Sequence, residues 1–70
     1  MVPFAERLKK ARKQKKLTQK EVAEYLGMAT HSYQNYEGGQ RQPNLEALVV
    51  IADYFEVTTD YLLGRTDLPG

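Results

Sequence analysis

Apolar side chains recur at helical spacing in five stretches of this 70-residue chain, a pattern that predicts an all-α fold. In the first stretch Phe4, Leu8 and Ala11 stand at i, i+4 and i+7, with Ala5 beside them. Pro3 suits the first turn of that helix, since it has no N–H to leave unsatisfied and its φ is already set. The helix is expected to end near Lys15. The second stretch opens at Thr18, whose hydroxyl can accept from an early backbone N–H while Glu21, three residues on, reaches back to the Thr18 N–H. Val22, Ala23 and Leu26 then form one apolar stripe, and Gly27 supplies the left-handed conformation that a sharp turn needs.

After that turn Tyr33 and Tyr36 lie three apart and are expected to face inward. Thr30, His31, Gln34 and Asn35 are left on the outward side, all of them hydrogen-bonding side chains of the kind that meets base edges in a DNA major groove. Gly38 and Gly39 end this third helix, and Pro43 cannot continue one. Asn44 is a good N-cap for a fourth helix, in which Leu45, Leu48, Ile51, Ala52 and Phe55 make a buried stripe. Val57 follows as a core plug. Thr58 or Thr59 caps a short fifth helix containing Tyr61, Leu62 and Leu63, and Gly64 closes it. Val49, Val50 and Tyr54 are left over. Either the fifth helix half-covers them, or they form a homodimer patch together with Tyr61.

Seventy residues make one small domain with little stability to spare, and without cysteine no disulfide or thiolate-bound metal can add to it. Well-packed helices or dimerisation must make up the shortfall. No stretch approaches eighteen continuous apolar residues and the N-terminus has no signal-peptide-like apolar run, so a cytoplasmic protein with no membrane partner is expected. One histidine, no glycine-rich phosphate loop after a strand and no spaced carboxylate pair leave nothing from which to assemble a catalytic or metal site. No enzyme activity and no cofactor are therefore expected. The net charge of +1 conceals a strong asymmetry: residues 1–20 carry eight lysines and arginines against Glu6, whereas residues 21–70 carry Arg41 and Arg65 against eight acids. Such a molecule can present a basic side to a polyanion.

The spacing of Ala23, Gly27 four residues on and apolar Tyr33 six further on resembles the helix-turn-helix of the phage repressor and Cro-type family. The IADYF and DYLLG segments resemble that family's usual ending, so the likeness runs from about Phe4 to Gly64. It implies a five-helix bundle of the repressor DNA-binding-domain type with a central helix-turn-helix, over residues 1–64. Residues 65–70 read as a disordered tail or the start of a linker to a further domain beyond Gly70. By the same resemblance Thr30, His31, Gln34 and Asn35 face base edges, while Gln19, Lys20 and Arg41 hold phosphates and Lys9, Lys13 and Lys16 add longer-range attraction. In that family an arginine at the place of Arg12 pairs with the glutamate that closes the recognition helix. The resemblance thus implies an Arg12–Glu37 ion pair.

Two positions depart from the family pattern. Alanine at position 29 replaces the usual Ser or Thr cap, so Thr30 is expected to take over and shift the helix start by one residue. Tyr33 replaces the usual Ile or Val, and its ring would tilt the helix or leave the hydroxyl at the DNA surface. The function these features imply is a transcriptional regulator, expected to be a repressor, that binds double-stranded DNA as a homodimer. The alternative is a protein-interaction module of antitoxin or adaptor type on the same fold.

Overall fold

The computed structural model describes residues 2–70, which form α1 (Phe4–Gln14), α2 (Gln19–Leu26), α3 (Thr30–Glu37), α4 (Leu45–Phe55) and α5 (Thr59–Leu62). There is no strand among the described residues, and none of their helices is long and apolar enough to cross a membrane. α3 packs against both α1 and α2, and α5 packs against α1 and α4. Each helix sends its apolar stripe to a common centre: Phe4, Leu8 and Ala11 from α1, Val22 and Ala23 from α2, Tyr33 from α3, Ile51, Ala52 and Phe55 from α4, and Tyr61 and Leu62 from α5. Each large side chain in this centre contributes about 1.5–3 kcal/mol by leaving water.

The starts of the helices follow local chemistry. Thr18 Oγ1 accepts from the Glu21 N–H at 3.0 Å and Glu21 Oε1 accepts from the Thr18 N–H at 2.8 Å, closing a capping box. Asn44 caps α4 through Ala47, and Thr58 caps α5 through Tyr61. α3 differs, because Ala29 holds the N-cap position with no side-chain oxygen to offer. Thr30 is the first helical residue and does not take over the cap, so the expected one-residue shift does not occur.

All five helices end in the same way. One residue turns left-handed, at Lys16, Gly27, Gly39, Glu56 and Gly64, with φ between 57 and 79°. The N–H that follows it then bonds back to a carbonyl five residues earlier, as from Met28 to Ala23 at 3.0 Å and from Arg65 to Asp60 at 2.8 Å. Gly64 is bound by space as well as by conformation: a Cβ there would lie 2.5 Å from the Pro3 ring. Lys16 and Glu56 adopt the same backbone with side chains, at a cost of about 1–2 kcal/mol each.

The structure corrects several expectations. Pro3 stands just outside α1 as its N-cap, with its carbonyl accepting from the Arg7 N–H at 3.1 Å. Leu45 is 81% exposed, because it occupies the first position of α4 and the buried face begins a turn later. Tyr61 is not part of any surface patch. It is 2% exposed, and its ring lies beneath the Arg7 guanidinium at 4.5 Å. The tail also makes hydrogen bonds to the bundle. Arg7 donates to the Thr66 carbonyl at 2.8 Å and to Asp67 Oδ1 at 2.6 Å, and the Thr58 N–H donates to the Pro69 carbonyl at 2.8 Å.

The left-handed helix ends predict a pair of opposite effects. Lys16→Gly relieves the side-chain strain and should raise stability in chemical denaturation by about 0.5–1 kcal/mol, after allowing for the extra chain entropy of glycine. Gly27→Ala should lower it by about 1 kcal/mol.

Candidate nucleic-acid interface

The geometry of the site begins with one carboxylate. Glu37, the last residue of α3, has a side chain only 4% exposed, yet each of its oxygens receives two donors. Oε2 accepts from Arg12 Nε at 2.6 Å and from the Tyr33 hydroxyl at 2.5 Å. Oε1 accepts from Arg12 Nη2 and from Gln19 Nε2, both at 3.1 Å. The same guanidinium donates to the Leu17 carbonyl at 2.9 Å, so Arg12 also holds the turn between α1 and α2. Charge-assisted, two-pronged pairing of this kind fixes orientation as well as distance.

Electrostatics follow from this crowding. Burial pushes the Glu37 carboxyl up, but the hydrogen bonds from Arg12, Tyr33 and Gln19 together outweigh it and leave the group below its ordinary value of 4.5. Burial, and then donation to Glu37, push the Tyr33 phenol well up. The hydrogen bond to Glu37 raises Arg12 despite its desolvation. All three groups therefore hold one protonation state over the physiological range.

The network clamps the buried face of α3 to α1 and α2, which leaves the other face free. His31 and Gln34 are exposed there, with Thr30 and Asn35 half-buried beside them. Lys20 and Arg41 are exposed and make no ion pair among the described residues. Gln19 is half-buried and engaged at both ends of its amide, since its Oε1 accepts from Gln34 Nε2 at 3.1 Å. The basic run of α1 is thinner than the sequence implies. Arg7 is committed to the tail, Arg12 to Glu37 and Lys15 to Glu56, which leaves Lys9, Lys10, Lys13, Lys16 and Lys20 unpaired among the described residues.

Some of this was open to sequence reasoning and some was not. The Tyr33 hydroxyl turns inward to Glu37 instead of reaching the outer surface, and the i, i+4 spacing of the two residues is the signal that could have found it. Gln19 meets Glu37 and Gln34 across eighteen and fifteen residues, for which no local signal exists. Val49 and Val50 are exposed and Tyr54 is half-buried, stacked at 3.9 Å on Tyr25. Tyr25, 61% exposed, takes the place beside them that Tyr61 does not.

Two packed helices, α2 with Ala23 buried and α3 clamped with a polar outer face, joined through a left-handed turn at Gly27, define a helix-turn-helix domain. Comparison with known proteins agrees. The sequence model of the helix-turn-helix family matches residues 8–62, and the chain belongs to that family. It is similar to the HTH-type transcriptional regulator YobD of Bacillus subtilis, with 42% identity over 94% of this chain and 59% of YobD. It is also similar to the cryptic phage CTXphi transcriptional repressor RstR of Vibrio cholerae, with 43% identity over 86% of this chain and 54% of RstR. Among solved structures, a transcriptional regulator from Listeria innocua superposes with a TM-score of 0.85 and 32% identity, over 94% of this chain and 62% of that one. The chain thus spans little more than half the length of these two relatives.

Because Glu37 titrates below its ordinary value in the folded chain, its network contributes fully above about pH 4.5 and is lost as pH falls through the folded value. Glu37→Gln should cost about 3–5 kcal/mol at neutral pH, since it leaves Arg12 without its counter-charge. It should also flatten the acid limb of a stability-against-pH curve. An unchanged acid limb in that variant would show that other carboxylates govern acid unfolding.

Proposed function

We propose that this chain is the DNA-binding part of a transcriptional regulator that reads the major groove of double-stranded DNA with α3. One observation carries the reading: α3 is locked to the bundle through Glu37, while Thr30, His31, Gln34 and Asn35 line its outer face. A helix positioned this rigidly can hold side chains at base edges without first losing much conformational freedom. Lys20 and Arg41, with neither side chain in an ion pair among the described residues, supply phosphate contacts at either end of the helix-turn-helix. Gln19 adds a further phosphate contact only through whatever donor its two internal bonds leave free. Lys9, Lys13 and Lys16 attract the polyanion at longer range.

The working unit is a homodimer in the cytoplasm, joined through Val49, Val50, Tyr54 and the adjoining Tyr25, and it acts as a repressor. Exposed apolar residues on α4 beside an aromatic stack whose Tyr25 is exposed support the pairing, and similarity to a phage repressor supports the direction of control. The greater length of the relatives supports a further domain in the whole protein. The same stack favours one second reading, a protein-interaction module that holds a foreign partner on α2 and α4. Neither role requires catalysis.

Enrichment of duplexes from a randomised pool tests the first reading. The winner should be palindromic, with half-sites one helical turn or about 34 Å apart. Its affinity should fall about 10³-fold or more between 50 and 200 mM salt, and Arg41→Ala should reduce the salt slope. Val50→Glu should shift the species seen by light scattering from dimer to monomer and weaken operator binding. A wild-type monomer that enriches no sequence would favour the interaction module.

A further inference from the structure

Three polar side chains form a line from the interior to the outer face of α3. Glu37 is the inner end, and as an ionised carboxylate it only accepts hydrogen bonds. Gln19 must therefore turn its Nε2 toward Glu37 Oε1, at 3.1 Å, which leaves its Oε1 pointing away. Gln34 must answer that oxygen with its own Nε2, again at 3.1 Å. The amide of Gln34 is thus oriented by a charge two residues deeper, with one N–H spent, its second N–H free and its carbonyl oxygen left as an acceptor. The opposite orientation would set Gln34 Oε1 against Gln19 Oε1, or Gln19 Oε1 against the carboxylate, and each is a contact between two acceptors.

We infer that Gln34 is a specificity-determining residue whose carbonyl, held outward by the Glu37–Gln19 relay, selects a base carrying an exocyclic amine in the major groove. This rests on the proposal that α3 reads DNA. Adenine N6 and cytosine N4 are donors and match the presented oxygen. Guanine O6 and thymine O4 are acceptors, which leave that oxygen unsatisfied and can meet only the second Gln34 N–H. Glutamine ordinarily turns its amide to suit either class, so the relay removes a freedom that an isolated glutamine would have. Tyr33 and Arg12 take part by filling the remaining acceptor positions of Glu37, so that Gln19 has one place to donate.

The test is duplex enrichment with the wild-type chain, Gln34→Ala and Gln19→Lys, each first shown to unfold cooperatively. The position whose preference disappears in Gln34→Ala is the one that Gln34 reads. There the wild-type chain should lose affinity about tenfold when the preferred base is replaced by its analogue lacking the exocyclic amine. A lysine at position 19 only donates, to Glu37 and to Gln34 Oε1 alike, and so turns the Gln34 N–H outward. Gln19→Lys should exchange the preference from A or C to G or T on the same strand, while tightening binding to all sequences through its charge. The same base preferred by wild type and Gln19→Lys, or no position altered in Gln34→Ala, would overturn the relay and leave DNA reading by α3 intact. A wild-type chain that enriches no sequence would overturn both.

Discussion

The structure depends on a carboxylate that cannot be left alone. Glu37 sits at the end of α3 with its side chain almost wholly out of water, a position untenable for a charge without donors on every side. Arg12 from α1, Gln19 from α2 and Tyr33 from α3 itself supply them. Because the donors come from three helices, satisfying this one group fixes the mutual placement of all three. A buried ion pair of this type contributes little net stability, since desolvation offsets most of the attraction, but it penalises every arrangement in which a partner is missing. Its effect is therefore on geometry. The outer face of α3 is as well defined as the inner one because the same residues bound both.

The rest of the bundle solves the problem of a small core by economy at its joints. Every helix ends in a left-handed turn that returns an N–H to the last open carbonyls, so few backbone groups at the helix ends lack a partner. At Lys16 and Glu56 the chain accepts strain at this position, and the two ends lie close enough for Lys15 to pair with Glu56. Arg7 plays a related part on the far side. Its guanidinium covers the Tyr61 ring and gathers the tail through Thr66 and Asp67, so α1 and the tail together close over α5. A helix of only four residues would be marginal without such cover.

What the fold leaves uncovered divides by chemistry. The outer face of α3 and its flanks carry hydrogen-bonding groups and cations in no ion pair among the described residues, a chemistry that suits bases and phosphates. α4 and the end of α2 carry Val49, Val50 and the Tyr25–Tyr54 stack, matched to another apolar surface. One small domain thus presents two faces of different character. That is what a protein needs if it must bind a polyanion and also associate with protein.

Local chemistry in the sequence by itself determined the five helices. The capping box at Thr18, the caps at Asn44 and Thr58, the turn at Gly27 and the periodic stripes all act within one or two turns of chain, and such signals survive without knowledge of the fold. The polar outer face of α3 was legible for the same reason: Tyr33 at the centre of the inner face dictates which residues point the other way. The Arg12–Glu37 pairing came from family resemblance, because twenty-five residues of separation carry no local signal. Tertiary structure alone decided the remainder. It placed Leu45 in water, at the first position of α4 ahead of its buried face, and put Tyr61 in the core beneath Arg7. It closed the tail over α5 and took Arg7, Arg12 and Lys15 out of the basic run. It also oriented the amides of Gln19 and Gln34, since a side chain's hydrogen-bond partner depends on what the fold brings within 3 Å, which periodicity along the chain does not encode.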